Sequence, residues 1–157
     1  MESVITRRSK IQFAERIRVV TIIAIRWLCM ALFLYTSSAK IFDHDRFLKG
    51  LSKVHLISRY SIFISYLVPA TEIVIGLLLI IPKTAKQGLY SFMSTMILFT
   101  GYIIAAMFLE KQLPCRCGGA IEKLSWSQHI WLNLAFIALA VVALWLNDLN
   151  TSLKKSK

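Results

Sequence analysis

The chain has 157 residues, 57% of them hydrophobic, and a formal net charge of +11. Soluble domains run at about 45–50% apolar, so an ordinary soluble fold is excluded. The positive charge does not point to nucleic acid either, because the basic residues lie in tails and loops beside apolar runs, where lysine and arginine set membrane topology.

Residues 1–18 form a basic, partly amphipathic lead-in carrying Ile11, Phe13, Ala14 and Ile17, suited to anionic lipid headgroups. Four apolar blocks follow, at 19–39, 61–81, 88–109 and 128–146. Each is about 19–22 residues long, enough for a helix to cross about 30 Å of hydrocarbon. A soluble helix rarely stays apolar all round for that length. The expected fold is an all-α integral membrane protein: a four-transmembrane-helix bundle over 19–146, with a basic tail at 147–157. No cleavable signal is expected, since the first apolar run is too long and Arg26 interrupts it.

The first loop, 41–60, is more than a turn. Phe47, Leu48, Leu51 and Val54 follow helical spacing, which predicts a short interfacial helix roofing the bundle. In the second span Pro69 predicts a bend that neighbouring helices can tolerate, and Pro82 ends it. The short connection at 82–87 predicts antiparallel neighbours. The third span exits at Glu110 into a polar loop that lasts to Trp126, and Trp126 and Trp131 read as interfacial anchors of the fourth.

With both termini inside, ten of the 19 lysines and arginines face the cytoplasm and eight the outside. Five of the inner ones, Arg7, Arg8, Lys10, Arg16 and Arg18, crowd just before the first span, which usually dominates orientation. The expected topology is therefore N-in, C-in. It leaves the 110–125 loop on the side where disulfides persist.

Arg26 and Glu72 are the two formal charges expected deep in hydrocarbon, where such residues are paired or functional. Counted from the inner ends of their spans, they lie about 10 Å and about 13–14 Å deep at the helical rise. Those depths allow an ion pair fixing the first two spans. They equally allow a protonatable Glu72 near a quinone or proton path, with Arg26 holding its charge. Cys29, inside the first span, reads as a small buried hydrophobe.

The sharpest motif is Leu113-Pro114-Cys115-Arg116-Cys117-Gly118-Gly119 in the polar loop. A reversible disulfide between Cys115 and Cys117 needs a turn to bring the Cα atoms within about 7 Å, and the proline and glycines around the pair favour one. Such a small ring is strained, and strained disulfides are oxidising and labile. Arg116 would stabilise a thiolate. An inert structural bridge would remove little loop entropy. A metal site would need ligands beyond two thiolates, with His44, His55 and His129 the only outward candidates. His129 and Asn133, four apart, share a helix face. There His129 either exchanges a proton beside the thiols or merely caps the span.

Cys115-Arg116-Cys117-Gly118-Gly119, followed by Leu124-Ser125-Trp126 and His129 to Asn133, resembles the MauE/DoxX group of membrane proteins. Upstream, Arg26, Ser38-Ala39-Lys40-Ile41-Phe42, Pro69-Ala70-Thr71-Glu72 and Gly76 fit the same pattern. The resemblance covers roughly 20–146. It implies a four-helix protein of the bacterial inner membrane tied to thiol redox, with Cys115, Cys117, Arg26, Lys40 and Glu72 as the matching positions. MauE is associated with maturation of the disulfide-rich small subunit of methylamine dehydrogenase beside a thioredoxin-like partner. DoxX relatives include a subunit of a thiosulfate:quinone oxidoreductase. Gly118-Gly119 departs from the Phe-Gly of MauE proper and sets the chain in a side branch. The expected function is thiol–disulfide exchange with an extracytoplasmic thioredoxin-like protein through Cys115 and Cys117, with a quinone as the linked acceptor. The alternative is a non-catalytic assembly factor that docks such a partner.

Overall fold

A computed structural model describes residues 2–52, 54, 57–109 and 126–155. Neither glycine nor proline occurs before Gly50, so nothing in the sequence breaks the first helix. It runs uninterrupted as α1 (Glu2–Phe42), and the basic lead-in expected as a separate surface segment is its first half. After one turn residue come α2 (His44–Ser52), a 3-10 turn at Ser58–Tyr60, α3 (Ser61–Ile80), α4 (Ala85–Leu109) and α5 (Trp126–Lys155). No strand occurs among the described residues.

Four stretches are long and apolar enough to cross a membrane: Phe13–Phe42, Ser58–Ile80, Ala85–Phe108 and Ser127–Ser152. α1 and α4 each pack along both α3 and α5, so the helices stand in the ring order α1, α3, α4, α5. At 41 residues α1 is about 60 Å long, and at 20 residues α3 is about 30 Å. α1 therefore overshoots the bundle at the end holding the termini.

The opposite end is roofed by α2, as the spacing of its apolar residues predicts. Phe47, Gly50 and Leu51 are buried beneath it, and Val54 follows them in. At the other end the α3–α4 connection is tight. A Cβ on Gly88 would stand 3.1 Å from backbone atoms of Leu78 and Leu79, tight enough that the backbone there would have to give by a few tenths of an ångström. Glycine lets the start of α4 lie against the end of α3 without that shift.

The interior divides sharply along its length. The half nearer the termini is an apolar cluster of Ile25, Cys29 and Phe33 from α1, Ile75 and Leu79 from α3, Leu89, Phe92 and Met96 from α4, and Ala140, Ala143 and Leu144 from α5. Phe33 and Phe92 meet at 4.4 Å between ring centroids. Every buried polar or charged side chain described, namely Ser37, Ser61, Ser65, Glu72, Thr100 and Asn133, lies in the half beneath the roof.

Candidate functional site

The two membrane charges whose depths allowed a pairing have separate partners. Glu72, 1% exposed, takes a hydrogen-bonded ion pair from Lys40 at 2.6 Å between Nζ and Oε1. Arg26 instead donates from Nε (3.1 Å) and Nη2 (2.6 Å) to Leu79 O, and from Nη2 to Ile80 O (3.2 Å).

The reason is the direction of side chains on helices. A Cα–Cβ bond leans toward its own helix N-terminus. α1 and α3 are antiparallel, so Lys40 leans down from the roof and Glu72 leans up toward it. Arg26, on the same helix as Lys40, also leans down, and from its lower position this carries it away from Glu72 and toward the end of α3. Arg26 and Lys40 are about 21 Å apart along α1, Glu72 and Leu79 about 10 Å apart along α3, and the two side chains close the difference. Arg26 therefore sits level with the end of α3, nearer the bundle's edge than a span start at residue 19 implied.

That position gives Arg26 a structural task. The last carbonyls of a helix have no partner within it, and in hydrocarbon no water supplies one. Arg26 takes those of Leu79 and Ile80, and the Thr84 hydroxyl takes Leu78 O (2.9 Å) and Ile81 O (3.3 Å). A cation at a helix C-terminus also suits the helix dipole.

Around Lys40 the structure assembles a cage from four helices. Its Nζ lies 5.9 Å from the Phe47 ring of α2 and 5.7 Å from the Phe99 ring of α4. Such distances permit a cation–π attraction to each ring. Lys40 is 11% exposed. Glu72 Oε2 is buried with no hydrogen-bond partner. Thr36 donates its hydroxyl to Phe33 O at 3.2 Å and stands close enough to interact with the Glu72 carboxylate as well. The cage thus combines a fixed ammonium, two ring faces and one open acceptor oxygen.

The next polar contact along the ring joins α4 and α5: Asn133 Nδ2 donates to Thr100 Oγ1 at 3.2 Å, and that hydroxyl donates to Met96 O at 2.7 Å. Asn133 thereby serves helix packing, while His129, one turn nearer the roof end, is half-buried and makes its own interactions. On the outer side of α2 an open hollow of about 460 Å³ is lined by Phe42, Asp43, His44, Asp45, Arg46 and Lys49. No three histidine, cysteine or acidic side chains gather as a metal set among the described residues.

Cys29 is a free thiol wholly enclosed in the apolar half, as its place in the first span predicts. Cys115, Arg116 and Cys117 lie outside the described residues. The helix ends that carry their loop, Leu109 and Trp126, belong to the end roofed by α2. Lys40 and Glu72 stand out separately in the sequence, whereas nothing there marks Phe47 and Phe99 as their surroundings. The available signal was that Lys40 stands at the close of a span and leans inward.

These features define the class: a four-helix integral membrane protein whose buried charge lies in one half, beneath an amphipathic roof. The family model for methylamine utilisation protein MauE matches residues 18–146, and the chain belongs to the MauE family. No curated protein and no solved structure matches it.

Proposed function

We propose that this protein exchanges disulfides with an extracytoplasmic thioredoxin-like partner through Cys115 and Cys117. It would sit in a bacterial inner membrane with both termini inside. The observation that carries the reading is the Cys-x-Cys pair in the loop between the last two spans of a MauE-family chain. Arg116 between the sulfurs supports it by favouring the thiolate, and the basic cluster before the first span supports the topology.

Written in the oxidising direction, a partner thiolate attacks the loop disulfide, breaking the Cys115–Cys117 bond and forming a mixed disulfide. The partner's second thiol then displaces the loop sulfur. The partner leaves with a disulfide, and the loop holds two thiols, having gained two electrons and two protons. A membrane quinone, when bound, supplies the acceptor for those two electrons and two protons and restores the loop disulfide.

Trapping tests the exchange. A thioredoxin-fold protein whose resolving cysteine is replaced by serine should form a reductant-sensitive adduct with the protein in nanodiscs. The adduct should vanish in the Cys115→Ser/Cys117→Ser variant. Absence of the adduct, or sulfurs that an impermeant maleimide never reaches on intact cells after mild reduction, sinks the reading. Membership of the family is also consistent with a second reading, a maturation factor that docks its partner without exchange. Co-purification of that partner with the double-serine variant would favour it.

A further inference from the structure

We infer that the Lys40–Glu72 cage beneath α2 is a binding site for a quinone-class ring. This deepens the reading above and rests on its quinone-linked form. Lys40 satisfies Glu72 Oε1 at 2.6 Å, and among the described residues no group meets Oε2 at hydrogen-bonding geometry, the nearby Thr36 hydroxyl being directed to Phe33 O. Buried polar atoms are nearly always hydrogen-bonded, and the exceptions call for an explanation. In a membrane interior the cost of leaving an acceptor open is higher still, and ionisable groups kept there tend to be functional.

The surroundings define what would complete it. Oε2 needs a hydrogen-bond donor. An ammonium carries three N–H donors, and among the described residues Lys40 gives one of them, to Glu72 Oε1. The complement is a group that both donates and accepts through oxygen. Phe47 and Phe99, whose rings the ammonium stands over, give the site apolar aromatic walls, which suit the flat body of a ring. A reduced quinone has hydroxyls to offer Oε2, and an oxidised one has carbonyls to receive Lys40. Both are lipid-soluble and need no aqueous route.

Polarity along the bundle agrees with this placement. The half nearer the termini is packed with aliphatic and aromatic side chains, whereas the roof half holds all the buried polar groups described. The loop bearing Cys115 and Cys117 joins the helix ends at that same end.

The test separates this site from the thiol chemistry. Decyl-tailed ubiquinone, oxidised or reduced, is titrated into the Cys115→Ser/Cys117→Ser variant in nanodiscs, and binding to empty nanodiscs is subtracted. Saturable binding is expected without the thiols. Adding Lys40→Met and Glu72→Leu together removes the charges as a pair, so neither is left buried alone. Affinity should then fall by about tenfold or more, the size of one lost hydrogen bond to a charged group. Binding unchanged by that substitution, or none above empty nanodiscs, overturns the inference.

Infrared difference spectra give a second readout. The reduced form should shift a carboxylate band that is missing in Glu72→Gln, and a spectrum with no such band means that water alone fills the site. If saturable binding holds while the mixed disulfide cannot be trapped, the exchange reading falls and the site stands. The reverse pair of results leaves exchange and removes the site.

Discussion

The two halves of the bundle are built from the same four helices and solve different problems. Toward the termini, Phe33, Phe92, Leu79 and Leu89 interlock with Cys29 at their centre, and Arg26 and Thr84 quiet the exposed end of α3. Beneath the roof, the same helices carry Lys40, Glu72, Ser65, Thr100 and Asn133. Helix association in lipid rests on van der Waals packing and interhelical hydrogen bonds, since hydrocarbon removes most of the hydrophobic driving force. The apolar half uses the first of these and the roof half the second. A protein needing only a stable bundle could have been apolar throughout. The concentration of buried charge under a surface helix is what the proposed binding site in the roof half rests on.

The comparison can be broken by substitution, and the largest effect belongs to the ion pair. Lys40→Met alone leaves the Glu72 carboxylate buried and unpaired, and should cost about 3–5 kcal/mol, whereas Lys40→Met with Glu72→Leu should be near neutral. Thermal unfolding in detergent reads both. Equal losses in the single and double variants would mean that the pair contributes shape and not charge balance.

In the apolar half, Phe92→Ala should cost about 3 kcal/mol through the cavity it leaves between Phe33 and Phe136. The same melting curves should show it, with no effect on quinone titration. A drop in quinone affinity there would blur the division between the halves. Arg26→Met should cost about 2 kcal/mol by releasing the carbonyls of Leu79 and Ile80. Faster amide exchange confined to the last turn of α3 would report it, and a change spread over the roof half would contradict the capping role. The smallest effect is expected at the α4–α5 contact: Asn133→Leu should cost about 0.6 kcal/mol, typical of interhelical hydrogen bonds in membranes. A loss several times larger would assign Asn133 to the network around Lys40.

How much of this was legible follows the range of the forces involved. Crossing a bilayer is a local property of length and hydropathy, so four spans could be read from the residues themselves. So could α2, because Phe47 and Leu51 lie on one face of a short helix, and so could Cys29 as a core residue. The lead-in was separated from the first span by its composition, yet helix continuity depends on the absence of breakers, and α1 runs through.

From the residues alone, Glu72 could be seen to fall in a low-dielectric interior, where an acid pairs with a cation or takes up a proton. Tertiary structure alone decided on a cation, and on which one. Depth along a span can be counted, but the lean of side chains on antiparallel helices sends Lys40 toward Glu72 and Arg26 away from it. The aromatic walls of the cage come from α2 and α4, distant in sequence from each other and from Glu72, and the open carboxylate oxygen exists only once those helices have closed around it.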